Sequence, residues 1–238
     1  VYSDFNVNIY VVSNSVDFHV WDKVQRKKHG DKIRIGWAGG ASHDEDIRIV
    51  EQVIHKLLEK YSNLLFTFVH GTPRFLRDIP RVEHISKFSR IDKYPAFLGS
   101  RGFDIGIAPL VDNAFNRGKS NLRWLEYAGM RVPCVASNVG HFAETIKDGE
   151  DGFLCSKEQE WVERLSALIE SKKLRKEIGN AANARARADF NIDTNVKAYE
   201  KILRGVVEKG AVNPVEQPEY AQPIGSAEQR ISNPQVVS

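Results

Sequence analysis

Lys32 to His70 reads KIRIGWAGGASHDEDIRIVEQVIHKLLEKYSNLLFTFVH. The opening KIRIGWAGG has the apolar spacing of a strand that runs into two glycines. Helical periodicity follows from about Asp44 to Tyr61, and LLFTFVH is a short continuous apolar run of the kind that forms a buried strand. Two strands joined through a helix are parallel, which makes this stretch the seed of an α/β fold.

The same alternation continues outward. RVEHIS reads as a strand, YPAFLGSR as a short helix and FDIGIAPL as a strand. A helix is expected over Ser120 to Met130, then VPCVAS as a strand, a short helix near FAETI, and GFLC as a last strand. The implied fold is a doubly wound, mostly parallel, Rossmann-like sheet. After Cys155 only helical patterns remain (WVERLSALIE, KKLRKEIGNAANARARA and IDTNVKAYEKILRGVV), and these are expected to pack back on the sheet. Residues 1–31, with a strand expected in NIYVVSN (Asn8 to Asn14), read as a lead-in segment, and residues 32–208 read as the domain. Residues 209–238 hold Pro214, Pro218, Pro223 and Pro234 among few large apolar side chains, which reads as a flexible tail or linker.

Bulk composition bounds the function. The 238 residues are 42% hydrophobic and 10% aromatic, enough for a large core. A net charge of +3, from 34 basic and 31 acidic residues, gives no footprint for nucleic acid, so any basic function must be local. No apolar run approaches the roughly 18–20 residues of a membrane span. Cys134 and Cys155 lie in apolar runs and are expected to be buried thiols, which suits a reducing, cytoplasmic compartment. A start at Val1 without Met is expected of a piece of a longer chain.

Open parallel sheets bind ligands outside the carboxyl ends of their strands. Two loops there stand out. WAGGASH places Gly39 and Gly40 ahead of a helix, where backbone N–H groups can approach an anion. PLVDNAFNRGKS ends in Arg117, Gly118, Lys119 and Ser120 at the start of the next helix. Bases at a helix N-terminus oppose its dipole, and a ligand bringing negative charge would account for them. At about 100° per residue, Lys119, Arg123 and Glu126 fall within about 60° of one another. Leu122, Leu125 and Gly129 form an adjoining face suited to packing on the sheet. A phosphate would sit on the helix start beside Lys119, and Glu126 would accept hydrogen bonds from sugar hydroxyls. The plainer alternatives are that Ser120 only caps its helix and that Arg123 and Glu126 form an ordinary i,i+3 pair.

These residues resemble the carboxy-terminal, donor-binding half of the group 1, retaining glycosyltransferases of the two-Rossmann-domain (GT-B) architecture. The likeness runs from about Asn8 to Val207. It rests on VVSNSVD, IRIGWAGG, DIGIAPL and, above all, KSNLRWLEYAGMRVPCVASNVGHFAETIKDGEDGFL. The resemblance implies transfer of a sugar from a nucleoside diphosphate donor, UDP- or GDP-linked, with retention and without a metal or other cofactor. It makes Glu126 the ribose ligand and the segment Lys119, Ser120, Asn121 and Leu122 the diphosphate cradle, with Gly39 and Gly40 as its other wall. The acceptor (glycan, lipid or protein) would come through an amino-terminal domain outside this chain.

The family's second Glu, eight positions before the helix Glu, is replaced by Gly118. The usual Arg and Lys of the first loop are also missing, and His43 stands nearby. Arg117 and Lys119 are expected to compensate. His43 and Arg123 are further donor-side candidates, with a surface role for His43 as the alternative. HDED (His43 to Asp46) has a metal-like D-x-D spacing, but Ser42 and Glu45 as a capping box account for the acids. His70 and His84 could border the base and Phe88 could stack on it, against structural roles for all three. A non-catalytic nucleotide-binding or interaction scaffold is the alternative function, and a sugar-nucleotide epimerase a weaker one.

Overall fold

The computed structural model describes residues 9–27, 30–40, 43–71, 73–86 and 90–209. Asn8, Ser42, Phe88 and the tail beyond Lys209 lie outside the described residues, so the capping box, the Phe88 stack and the tail are not addressed by it. The chain divides into two compact units, Asn14–Asn195, and Val1–Ser13 with Val196–Ser238.

Within the larger unit six strands form one sheet: β1 (Ile33–Gly39), β2 (Leu64–His70), β3 (Val82–Ile85), β4 (Ile105–Ala108), β5 (Cys134–Ser137) and β6 (Phe153–Cys155). Every adjacent pair is parallel, in the order β3-β2-β1-β4-β5-β6. The order reverses between β1 and β4, and a crevice opens at their carboxyl ends. That places the two loops singled out in the sequence side by side.

Alternate side chains sort the core onto the two sheet faces. One face carries Ile35, Trp37, Phe66, Phe68, Ile107 and Val135 against α3 (Glu51–Lys60) and α8 (Glu158–Glu170). The other carries Ala38, Val69, Ala108 and Ala136 against α4 (Tyr94–Gly99), α6 (Leu122–Gly129) and α9 (Lys172–Asp189). The second face has small strand residues because a helix comes close. A Cβ at Gly106 would lie 2.5 Å from the Tyr127 ring. The Tyr127 hydroxyl lies 3.2 Å from the Gly36 carbonyl oxygen and 3.1 Å from that of Ile107. On α6, Trp124 donates to the Asp151 carbonyl (3.0 Å), and the Asn183 amide of α9 donates to the Ala128 carbonyl (2.9 Å). Helix α6 is thus held from the sheet and from α9, which fixes the stripe that carries Arg123 and Glu126.

Several expectations are corrected. Residues 9–14 are not a strand; nearby, Val16 makes only an isolated bridge to Asn191. The helix expected over 44–61 is two, α2 (Asp44–Arg48) and α3, parted at Ile49 and Val50. Both are β-branched residues with lowered helix propensity. The next helix starts at Leu122, not Ser120, with Asn121 as its N-cap. Short helices α1 (Phe18–Trp21), α5 (Ala114–Arg117) and α7 (Gly140–Thr145) complete this region; of these, α1 and α5 were not expected. The last helix, α10 (Ile192–Lys209), begins in the larger unit, and in the smaller one it keeps Val196, Tyr199, Leu203 and Val206 exposed. Cys134 and Cys155 are free and buried, and burial raises both thiols, Cys155 to about 12. Among the described residues no helix is long and apolar enough to cross a membrane.

Candidate functional site

A cavity of about 320 Å³ lies at the carboxyl ends of β1 and β4. Its lining includes Ala38, Gly39 and His43 from the first loop, Pro109 and Leu110 from the second, and Lys119, Ser120, Leu122, Arg123 and Glu126 from the start of α6. Tyr94 and Phe142 complete it. Of the residues singled out in the sequence, Gly39, His43, Lys119, Ser120, Leu122, Arg123 and Glu126 line this cavity, whereas Gly40, Arg117 and Asn121 do not.

The reasons for those three are local. Arg117 is exposed and grips Asp112 with two nitrogens (2.6 and 2.9 Å), which keeps its charge outside the cavity. Asn121 is buried, its amide donating to the Thr145 hydroxyl (3.1 Å). Gly40 is exposed beyond the end of β1. Leu122, expected on the sheet-packing face, is instead 47% exposed and lines the cavity; Leu125 and Gly129 are buried as expected.

The start of α6 lacks a protein cap. Asn121 makes no side-chain cap hydrogen bond, and its amide nitrogen donates to the Thr145 hydroxyl instead. First-turn N–H groups without a cap need another acceptor. Beside them the Arg123 guanidinium lies over the Trp37 ring, 4.8 Å from its centroid, and its Nη1 is buried with no hydrogen-bond partner. A buried guanidinium donor is costly to leave unmade, so this nitrogen points to an acceptor that the protein does not supply. A Cβ at Gly39 would lie 2.8 Å from Arg123 Nη2 and 2.6 Å from the Trp37 ring, so only glycine leaves the guanidinium its place.

Glu126 presents the complementary need. The Tyr94 hydroxyl donates weakly to its Oε2, at 3.4 Å. Burial pushes the carboxyl up to about 7, against the opposing charge of Arg123. Tyr94 is raised as well, by burial and then by the Glu126 charge. A carboxylate with one long hydrogen bond has acceptor capacity left over for hydroxyl groups.

Lys119 is not a free base. Its ammonium lies 3.4 Å from Asp46 Oδ2 and 5.1 Å from the Phe115 ring centroid. Asp46 also takes His43 Nδ1 at 2.7 Å. Trp37 and Tyr94, which the structure brings to this site, were not singled out in the sequence, and Asp46 was weighed there only as part of HDED. For Asp46 the available signal was its position three residues after His43. Among the described residues no group of three or more His, Cys, Asp or Glu side chains is placed to hold a metal. His84 Nε2 is 3.1 Å from the Arg77 carbonyl, and His70 stacks on Phe97 at 5.7 Å; neither lines the cavity.

Residues 122–185, which begin at the first residue of α6, match the family model described as glycosyl transferases group 1. Over those residues the chain is similar to the group 1 glycosyltransferases. Its fold is shared with Anabaena Alr3699/HepE, solved in complex with UDP and glucose, at TM-score 0.62 and 18% identity over 82% of this chain and 56% of that one. It is also shared with the C-terminal domain of the group 1 family protein LpcC from Francisella tularensis, at TM-score 0.54 and 21% identity, over 74% of this chain and 99% of that domain. A glycosyltransferase from Rickettsia africae aligns at TM-score 0.67 and 16% identity, over 87% and 61%. This chain thus spans little more than half the length of the Anabaena and Rickettsia proteins. No curated protein matches it. The doubly wound, Rossmann-like sheet expected from the sequence, as in one half of a GT-B fold, is the fold found.

Proposed function

We propose that this chain binds the nucleoside diphosphate sugar of a glycosyl transfer. One observation carries the reading. The cavity pairs a buried Arg123 nitrogen that lacks an acceptor with a Glu126 carboxyl that has one long hydrogen bond, on neighbouring turns of one uncapped helix. A diphosphate supplies acceptors and a ribose supplies hydroxyl donors. The diphosphate would rest on the α6 start, Ser120, Lys119 and Arg123, with Gly39 as the opposite wall. The ribose would hydrogen-bond Glu126. UDP is the nucleotide we favour, because the Anabaena structures hold UDP and UDP-glucose in the same fold.

In the reaction the bond from the sugar's anomeric carbon to the β-phosphate oxygen breaks, and an acceptor oxygen takes that carbon. Charge then gathers on the leaving diphosphate. Fixed N–H dipoles and the two cations at the α6 start stabilise it without rearranging, and they do so without a cofactor. Retention and hexosyl transfer follow from the resemblance. The acceptor half of the cleft would come from outside these residues, so the chain alone would bind donor and turn over poorly. The buried thiols fit a cytoplasmic setting.

A second reading, a nucleotide-binding scaffold without catalysis, is favoured by Gly118 and by the pairing of Arg117 and Lys119 with acids. Calorimetric titration with UDP, GDP, ADP and UDP-glucose separates the two. The transferase reading expects one nucleotide and its sugar to bind, with slow hydrolysis of the sugar nucleotide. It also expects about a tenfold to hundredfold loss for Glu126→Ala, the worth of a hydrogen bond to a charged group. Binding of the nucleotide without any hydrolysis favours the scaffold, and no binding at all removes both readings.

A further inference from the structure

Asp46 lies on α2, behind the cavity wall, with its side chain 5% exposed. Its Oδ1 accepts from the Val111 backbone N–H and from the Asn116 amide, both at 2.8 Å. Its Oδ2 accepts from His43 Nδ1 at 2.7 Å and Lys119 Nζ at 3.4 Å. The first two donors belong to the loop after β4, whereas the second two are bases that line the cavity. Burial alone would raise this carboxyl, but the His43 hydrogen bond, the Val111 N–H and the Lys119 charge outweigh it and hold it down to about 2. Asp46 is therefore a permanent anion beside a site read as anion-binding.

That placement is at first sight unfavourable, because like charges repel. Its geometry gives the reason. A neutral imidazole carries one proton; a carboxylate at Nδ1 draws it there and fixes the ring, which leaves Nε2 as an acceptor for a hydroxyl donor of the sugar nucleotide and not for a phosphate oxygen. The Trp37 ring packs edge-on to the imidazole, at 5.5 Å and 72°, and further restricts its rotation. Lys119 has three N–H donors, of which Asp46 occupies one.

We propose that Asp46 is the positioning residue of this site: it holds His43 and Lys119 in place against the cavity and ties the loop after β1 to the loop after β4. A diphosphate then meets a Lys119 ammonium that is already ordered, with the His43 ring fixed beside it. The proposal deepens the donor-binding reading and rests on it.

Two measurements on the full chain test it, with UDP as the probe. The first is the ring-nitrogen spectrum of His43. The wild type is expected to hold its proton on Nδ1, and Asp46→Asn is expected to shift it toward Nε2. The second is UDP titration. Positioning predicts that Asp46→Asn weakens binding about tenfold, and that adding Lys119→Met to it costs less than Lys119→Met does alone. Simple removal of a repelling charge predicts the opposite sign, and a loop anchor with no hold on the bases predicts additive losses and an unmoved His43 proton. Tighter or unchanged binding in Asp46→Asn, additive losses, or an Nε2 proton in the wild type overturns the proposal. If Asp46→Asn fails to fold, Asp46→Glu, which keeps the charge but displaces it, is expected to lower UDP affinity, and an unchanged affinity overturns the proposal. Should the wild type bind no UDP, the donor reading fails by itself, and the His43 spectra still decide whether Asp46 orders the ring.

Discussion

Two carboxyl groups flank one cavity and stand in opposite states. Asp46 has four donors within 3.4 Å and is held down to about 2. Glu126, on the facing helix, has the single long bond from Tyr94 and is pushed up to about 7. Burial acts on both in the same direction, so the difference comes from the partners the fold provides. A fully satisfied carboxylate organises its surroundings; one left short of donors is available to a ligand. The contrast separates residues that build this site from residues that would touch its occupant.

The largest effect is expected where the organising charge is removed. Asp46→Ala strands the Val111 N–H, the Asn116 amide and two bases, and should cost about 3–5 kcal/mol in urea unfolding at neutral pH. The Asp46 pKa is lowered on folding, so its contribution is present above about pH 4 and fades as pH falls toward 2. The gap between wild type and variant should narrow by about 2 kcal/mol over that window. A loss below about 1 kcal/mol at pH 7 would mean that the two carboxyls do not differ as described.

Glu126 should show the opposite sign. Its pKa is raised on folding, so its contribution is full below the unfolded value of 4.5 and is lost as pH rises through about 7. Ligand-free Glu126→Gln should therefore be more stable than wild type at pH 8, by roughly 3 kcal/mol at most, and no more stable at pH 4. Unfolding curves at the two pH values check this; a variant that gains nothing at pH 8 would place Glu126 in a satisfied environment like that of Asp46.

Smaller effects sharpen the boundary of the site. Trp37→Phe narrows the aromatic shelf under Arg123 and should lower UDP affinity by roughly threefold to tenfold, the scale of a partly desolvated cation–π contact. Arg117→Ala should leave UDP affinity within about twofold and melting unchanged, because exposed ion pairs contribute little. A larger loss at Arg117 would show that its charge reaches the cavity despite the Asp112 clamp.

The sheet was legible in the sequence because a parallel strand buried on both faces is a continuous apolar run, as in LLFTFVH and FDIGIAPL. Residues 9–14 fail for the complementary reason: NIYVVSN has strand composition, but a strand also requires a neighbour to pair with. On α6 the geometry of one turn correctly grouped Arg123 and Glu126, since helical period is a local property; Lys119 precedes the helix and reaches the same cavity from the loop before it. Which of the bases would be free was not legible. Arg117 pairs with Asp112 five residues away, and Lys119 pairs with Asp46 of α2, seventy-three residues earlier. The contact between Trp37 and Arg123 likewise exists only once β1 and α6 are side by side.

The central claim is that a nucleoside diphosphate occupies the cavity at the switch point, phosphates on the start of α6 and pentose on Glu126. A crystal structure of the chain grown with saturating UDP tests it most directly. The expected result is phosphate oxygens within hydrogen-bond distance of Arg123 and the first-turn N–H groups, with ribose hydroxyls on the Glu126 carboxylate. Nucleotide bound elsewhere, with Arg123 Nη1 and Glu126 unchanged, would contradict it.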